Sequence, residues 1–218
     1  MSVRRCSGLD GAREAIGTAV IIDVFRAFTT AAFCVGAGAR EVMLVGDHTD
    51  ALALKAVDPT LFLTGEIGGR PIAGFDAGNS PSRIDGLDLT GRRVVQRTSA
   101  GTQGVVAAAA ASEIVLGSLV IAGATVRYVR GRDAISLVAI GTHGGDDHGE
   151  DEICAAYLEQ LLLGAAPPAP AIPLAPAEDW PDWFPRRDAE LALEVDRFAF
   201  ALPVTREGGL LIARPVFV

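Results

Sequence analysis

The sequence predicts an α/β protein, a three-layer α/β/α architecture on a largely parallel or mixed sheet. Three observations carry the expectation. Short apolar, β-rich runs alternate with stretches that read as helices, the pattern of βα units. The composition is rich in Ala, Val, Leu and Gly and only 6% aromatic, which suits this class better than a β-sandwich. Half of the 218 residues are hydrophobic, enough to bury a sizeable core. The chain is expected to form one unit over residues 1–218, with the main βα units over 1–163 and a proline-rich excursion plus C-terminal strands over 164–218.

The first apolar run, "TAVIID" (18–23), predicts a strand, and "RAFTTAAFCVGAGA" after it a helix. "EVMLV" (41–45) and "HTDALALKAV" repeat the pair. After the third run, "TLFLTG" (60–65), no helix follows. The loop "GEIGGRPIAGFDAGNSPSR" (65–83) takes its place. "RRVVQR" (92–97) precedes the alanine-rich "AGTQGVVAAAAAS", "EIVLGS" (113–118) precedes "AGATVRYVRGR", and "AISLVAIG" (134–141) precedes "EDEICAAYLEQLLL". "GAAPPAPAIPLAPAEDWPDWFP" is too rich in proline for regular structure and reads as a surface excursion, with 165–176 away from any cleft. "RFAFALPV" and "GGLLIARPVFV" close the chain as two strands joined at "TREGG".

Charge narrows the function classes. Nineteen Lys plus Arg against twenty-seven Asp plus Glu give a net charge of −8. No basic field exists to release counterions, so general binding to nucleic acid or anionic membrane is not expected. A small anionic substrate held by local arginines or by a metal ion remains compatible. Cys6, Cys34 and Cys154 form no CxxC pair, and their odd number argues against a disulfide framework and for a reducing compartment. The N-terminal stretch "MSVRRCSGLDGAREAIG" has no apolar run of signal-peptide length, and no apolar window reaches transmembrane length. A cytoplasmic location is the expectation.

Polar residues gather where strands end. The first strand closes on Asp23, followed by Arg26, Thr29 and Thr30 at the mouth of a helix. Ligands of parallel α/β sheets bind beyond the carboxyl ends of strands, and an Asp there is a natural Mg²⁺ ligand or nucleophile. Equally, Asp23 is a plain N-cap and Arg26 a solvated helix residue. The fourth run ends in "RTSAGTQG", where Thr98, Ser99, Gly101 and Thr102 either cradle an anion or simply cap a helix. The sixth ends in "GTHGGDDHGEDE"; its spacing matches no zinc template, so His143 and His148 read as solvated loop residues. Glu150 and Asp151 fall on the first turn of the next helix, where acidic residues also favour the macrodipole. A parallel sheet would bring all these strand ends to one edge.

The stretches "VIIDVFRAFTTAAF", "GEIGGRPIAGFDAGNSP", "TSAGTQGVVAA" and "EDEICAA" resemble, in order, four signatures of the 2-phosphosulfolactate phosphatase (ComB-type) family. The resemblance implies a Mg²⁺-dependent phosphomonoesterase on an α/β/α architecture, acting on 2-phosphosulfolactate or a related 2-phospho acid. Carried over by position, it implies Asp23, Arg26, Glu66 and Arg70 as catalytic residues. Thr29, Thr30, Asn79, Ser80, Thr98, Gly101 and Thr102 would bind substrate, and Asp23, Glu66, Asp76, Glu150 and Asp151 would hold Mg²⁺. Asp23 or Glu66 would orient water or attack directly. Ser99-Ala100-Gly101-Thr102 departs from the family's Thr-Asn-Gly-Thr, Phe25 from its Leu, and Ala156 from its Gly. The Asn lost at Ala100 keeps two other readings open: a non-catalytic small-anion binding protein, or a phosphatase for an unrelated substrate. The partner expected is a small anionic phosphorylated substrate, with a homodimer left open.

Overall fold

The computed structural model describes residues 1–141 and 149–218. In chain order the elements are β1 (Ser2–Ser7), α1 (Gly8–Arg13), β2 (Thr18–Ile22), α2 (Ala27–Gly36), β3 (Glu41–Leu44), α3 (His48–Val57), β4 (Phe62–Ile67), β5 (Arg70–Pro71) and β6 (Ala77–Gly78). There follow α4 (Pro81–Ile84), β7 (Arg93–Arg97), α5 (Gly101–Ala107), β8 (Glu113–Gly117), α6 (Ala122–Val129), β9 (Ala134–Ala139), α7 (Glu150–Leu162), α8 (Arg186–Ala192), β10 (Phe200–Glu207), β11 (Leu210–Ala213) and β12 (Val216–Phe217). The helix expected over 48–57 forms over those residues, because Asp47 accepts the Thr49 N–H at 2.8 Å and Lys55 sits in its last turn. The alanine-rich helix stops at Ala107, well short of the tract's end. Ser112 N–H is already pairing with Gly17 O at 3.0 Å to lead the chain into β8.

Every position of β2 is buried, because its two faces meet different cores. Ala19 and Ile21 enter a central cluster with α1, α2 and α5, while Val20 and Ile22 pack under α6 and α7. Strand β3 alternates in the same way: Val42 and Leu44 join the central cluster, and Met43 joins a third one beneath α3. Helices therefore cover both faces of a mixed sheet.

The strand order is β1-β9-β2-β8-β10-β11-β3-β7-β4-β5. Strands β1, β9, β2 and β8 are mutually parallel, as are β3, β7 and β4. The hairpin β10–β11 lies between these blocks and pairs antiparallel with β8 and with β3. Three antiparallel steps reverse the direction, so the two blocks run in opposite senses. The single edge of strand ends expected from the sequence does not exist. In a flat sheet β2 and β7 would lie about 24 Å apart, five spacings of about 4.8 Å. Yet a Cβ on Gly101, just past β7, would stand 2.8 Å from the Asp23 carboxylate just past β2. The sheet curls around the central cluster, and the curl brings the two blocks' loops together. The hairpin turn is Gly208-Gly209, with φ of +57° and +83°, a two-residue turn that carries β10 on through Thr205 to Glu207, the residues expected in the turn.

Candidate active site

Asp23 follows the last residue of β2 and is almost fully buried. One carboxylate oxygen accepts the Ala27 N–H at 2.8 Å, so Asp23 closes the first turn of α2. The other faces Gly101, where a Cβ would be 2.6 Å from Ala27 Cβ as well as 2.8 Å from that oxygen; only glycine fits. Burial pushes the Asp23 carboxyl up to about 7. The negative charges of Glu150 and Glu66 add to this, and N–H donation from Ala27 and Gly101 offsets part of it.

Helix α7 supplies the next carboxylates. Asp151, also buried, accepts the Val24 N–H at 2.7 Å and thereby ties α7 to the end of β2. Burial raises its carboxyl well above the usual range, with the charges of Asp23 and Glu150 acting in the same direction. Glu66 reaches the group from the opposite block. Its oxygens accept Ser99 N–H at 2.5 Å, Gly69 N–H at 2.6 Å and Ser99 O–H at 3.1 Å. Glu66 thus stitches the β4–β5 turn to the loop before α5. Gly69, at φ +82°, has its Cα hydrogen against the Trp183 ring, where a Cβ would approach to 2.2 Å.

Arg26 is neither solvated nor free. It is 4% exposed and donates to Asp188 Oδ2 and to Trp183 O, each at 2.9 Å, and to Gly69 O at 3.3 Å. Its guanidinium lies 4.1 Å from the centre of the Phe184 ring. The Phe25–Arg26 peptide is cis. Asp188 is the residue that sequence reasoning missed. It is fully buried and also accepts Ser80 O–H at 2.7 Å and Ser82 N–H at 2.9 Å. Residues 165–176 run mostly over the surface, but the end of the proline-rich segment folds back onto the first βα turn. Both tryptophans of the chain, Trp180 and Trp183, stand in that segment with Phe184. Such a concentration of aromatics was the available signal that it packs rather than dangles.

Other expected residues are placed elsewhere or engaged. Asp76 is not with the carboxylate group: it pairs with Lys55 and accepts Leu63 N–H at 2.7 Å, three residues before Glu66 along β4, a run of about 10 Å. Thr29 is sealed in the core, its hydroxyl bonded to Val24 O and Ser118 Oγ, and Thr30 is equally inaccessible. Thr98 and Thr102 bond each other's backbone N–H at 2.9 and 3.0 Å and hold the turn, so their hydroxyls do not face a ligand. Ser80 is bonded to Asp188. Arg70 is exposed on the short strand β5. Asn79 lines a pocket of about 210 Å³ together with Arg26, Ser80, Arg83 and Trp183. A larger cavity of about 820 Å³ lies elsewhere, between α3 and the β10–β11 turn. His143 and His148 lie outside the described residues. Among the described residues, no three His, Cys, Asp or Glu side chains stand close enough together, as they lie, to hold a metal ion.

A family model described as 2-phosphosulpholactate phosphatase matches residues 8–172. The chain belongs to this family. The match takes in Asp23, Glu66, Gly101, Glu150 and Asp151, and ends before Asp188. The chain is 34% identical over 148 residues to the Bacillus subtilis (strain 168) protein named "Probable 2-phosphosulfolactate phosphatase", covering 66% of this chain and 64% of that protein. A Deinococcus radiodurans protein of the same name is 41% identical over 152 residues, covering 67% and 62%. One from Caldicellulosiruptor saccharolyticus is 36% identical over 151 residues, covering 66% and 62%. The chain thus spans a little under two thirds of the length of these family relatives. No helix among the described residues is long and apolar enough to cross a membrane.

Proposed function

We propose that this chain is a phosphoric monoester hydrolase that acts, with Mg²⁺, on a small acidic phosphate ester such as 2-phosphosulfolactate. The observation that carries the reading is the buried carboxylate group formed by Asp23 and Asp151, with Glu150 and Glu66 close enough to raise the Asp23 carboxyl. Buried like charges are costly to a fold and persist where a site uses them. The donor set is entirely oxygen, which suits Mg²⁺ rather than zinc, and a divalent cation would relieve the repulsion that raises Asp23 and Asp151. Asp23, Glu150 and Asp151 would hold it, drawing closer than they lie, and the ion would supply charge neutralisation at the phosphoryl group.

The chain's own residues have distinct tasks. In the metal-free protein the Asp23 carboxyl, raised to about 7, holds a proton up to neutral pH and would give it up to bind the ion. The three donors on Glu66 hold its carboxylate in one orientation, which fixes the loops on either side of the group. Arg26 orders the turn after Asp23 through Asp188, and Phe184 and Trp183 shield that pair from water. The test is phosphate release from 2-phosphosulfolactate and from 2-phospholactate, with Mg²⁺ and with EDTA. Steady release that EDTA abolishes supports the reading; no release from either ester at any divalent ion concentration overturns it.

A further inference from the structure

The pocket beside Arg26 is built differently from the carboxylate group next to it. Its walls are the segment 78–80, Gly69, Pro71 and the Trp183 ring, with Arg83 and Asp182 among the exposed lining residues. Asn79 is 5% exposed; its oxygen takes Gln96 N–H at 3.5 Å, and its amide nitrogen has no partner among the described residues. Arg26 uses three of its five N–H groups on Asp188, Trp183 and Gly69. Arg83 makes no ion pair and no side-chain hydrogen bond among the described residues. The buried lining therefore offers unassigned donors on Arg26 and Asn79, while the Ser80 hydroxyl commits its one donor to Asp188 and adds none. Gly69 links the pocket to the carboxylates, since its N–H binds Glu66 and its C=O accepts from Arg26.

We propose that this pocket binds the non-reacting acid group of the phosphorylated substrate, a carboxylate or a sulfonate, and that Arg83 sets the preference for substrates that carry one. The inference rests on the phosphatase reading above and adds the subsite for the second anion. Size supports it. A water takes about 30 Å³ of liquid, so 210 Å³ holds about seven, room for one acid group and a few waters but not for a nucleoside. A forked guanidinium suits a carboxylate or sulfonate edge, and the Asn79 amide adds a neutral donor from the wall. Asp182 opposes an anion from the other exposed side, so the two charged residues must act with opposite signs.

Two esters that differ in one group test this: 2-phospholactate and isopropyl phosphate, which has a methyl in place of the carboxylate. The readout is the ratio of their kcat/KM values. In Arg83→Ala the ratio should fall about tenfold to a hundredfold, mainly through KM for 2-phospholactate, the effect of losing one charge-assisted hydrogen bond. Arg83→Lys should restore part of it, and Asp182→Asn should raise the ratio above wild type. Thermal melts of all three variants should match wild type, because both side chains are exposed. An unchanged ratio in Arg83→Ala overturns the subsite while leaving the phosphatase reading intact. Calorimetric titration with 3-sulfolactate, which has no phosphate to lose, separates the reverse case. Binding that Arg83→Ala abolishes, with neither ester hydrolysed, supports the pocket and removes the phosphatase reading; neither binding nor hydrolysis overturns both.

Discussion

Asp23→Asn should make the metal-free protein more stable at pH 8 while it removes turnover. The Asp23 carboxyl is raised from 3.8 to about 7, chiefly by burial. Below pH 3.8 both folded and unfolded chains hold the proton, and the group makes no difference. As pH rises, the unfolded chain ionises first, so folding stability falls until the folded group also ionises near 7. At 1.36 kcal/mol per pH unit, the rise from 3.8 to about 7 costs about 4 kcal/mol at pH 8. Asn carries no charge and escapes this cost. It can still accept the Ala27 N–H, but its amide would face the Gly101 N–H and lose that bond, a penalty of about 1–2 kcal/mol. The net gain at pH 8 is about 2–3 kcal/mol. At about 2–4 °C per kcal/mol for a chain of this size, Tm should rise by about 5–10 °C. At pH 4 only the lost bond remains, so the variant should melt below wild type, with the two curves crossing near pH 5. The assay is a thermal melt in EDTA across pH 4 to 8, beside phosphate release with Mg²⁺, which should drop about a hundredfold or more. A Tm difference that stays negative and constant across that range would refute the assignment of a buried, raised carboxyl.

Three further outcomes follow from the same geometry. Mg²⁺ added to metal-free protein should raise Tm more at pH 8 than at pH 5, because protons and cation compete for Asp23 and Asp151; an equal shift at both pH values would place the ion elsewhere. Arg26→Ala should lower stability by about 3–5 kcal/mol in a chemical denaturation curve, since it leaves Asp188 buried and unpaired, whereas a solvated Arg would change it by less than about 0.5 kcal/mol. Gly101→Ala should cost about 1–3 kcal/mol and suppress turnover, because the new methyl must displace Ala27 and the Asp23 carboxylate; wild-type kinetics in this variant would remove that contact from the site.

Much of the fold was legible because its signals are local. The runs at 18–23, 41–45, 92–97, 113–118 and 134–141 became strands within about a residue or two, and α3 formed where Asp47 and Lys55 marked its ends. Strand β1 (Ser2–Ser7) was missed; its SVRRCS sequence holds only Val3 and Cys6 as apolar residues, and at the sheet's edge it gives a weak apolar signal. Strand direction was not legible at all. Whether β10–β11 ends the sheet or enters its middle depends on which neighbours it pairs with, and no local pattern records that. In the site, the family resemblance pointed to Asp23, Glu66, Asp76, Glu150 and Asp151 together; Asp23 and Asp151 lie near each other with Glu66 and Glu150 beside Asp23, whereas Asp76 pairs with Lys55. The resemblance could not say which way the hydroxyls of Thr29, Thr98 and Thr102 point, since one rotamer decides between a ligand and the helix's own backbone. Asp188 escaped because its partner Arg26 is 162 residues away.

The grouping of the carboxylates therefore has a different cause from the one the strand pattern suggested. Asp23 and Asp151 belong to the block containing β2, and Glu66 and Gly101 to the block containing β4 and β7, whose strands run the other way. Two things bring them together. The central cluster under α2 and α5 includes residues of both blocks, among them Ile21 and Val94. The hairpin β10–β11 fills the seam: Val204 pairs with Ile114 on one side and Ala213 with Val42 on the other. That hairpin, like Asp188, lies beyond residue 172, where the family match ends. Most of the acid groups thus sit within the matched residues, while the pairing that joins their two blocks and the anchor of Arg26 come from outside it. Asp182 and Trp183 enter the Arg83 pocket from the same unmatched segment that supplies Asp188, so the pocket wall and the anchor of Arg26 are set by one stretch of chain.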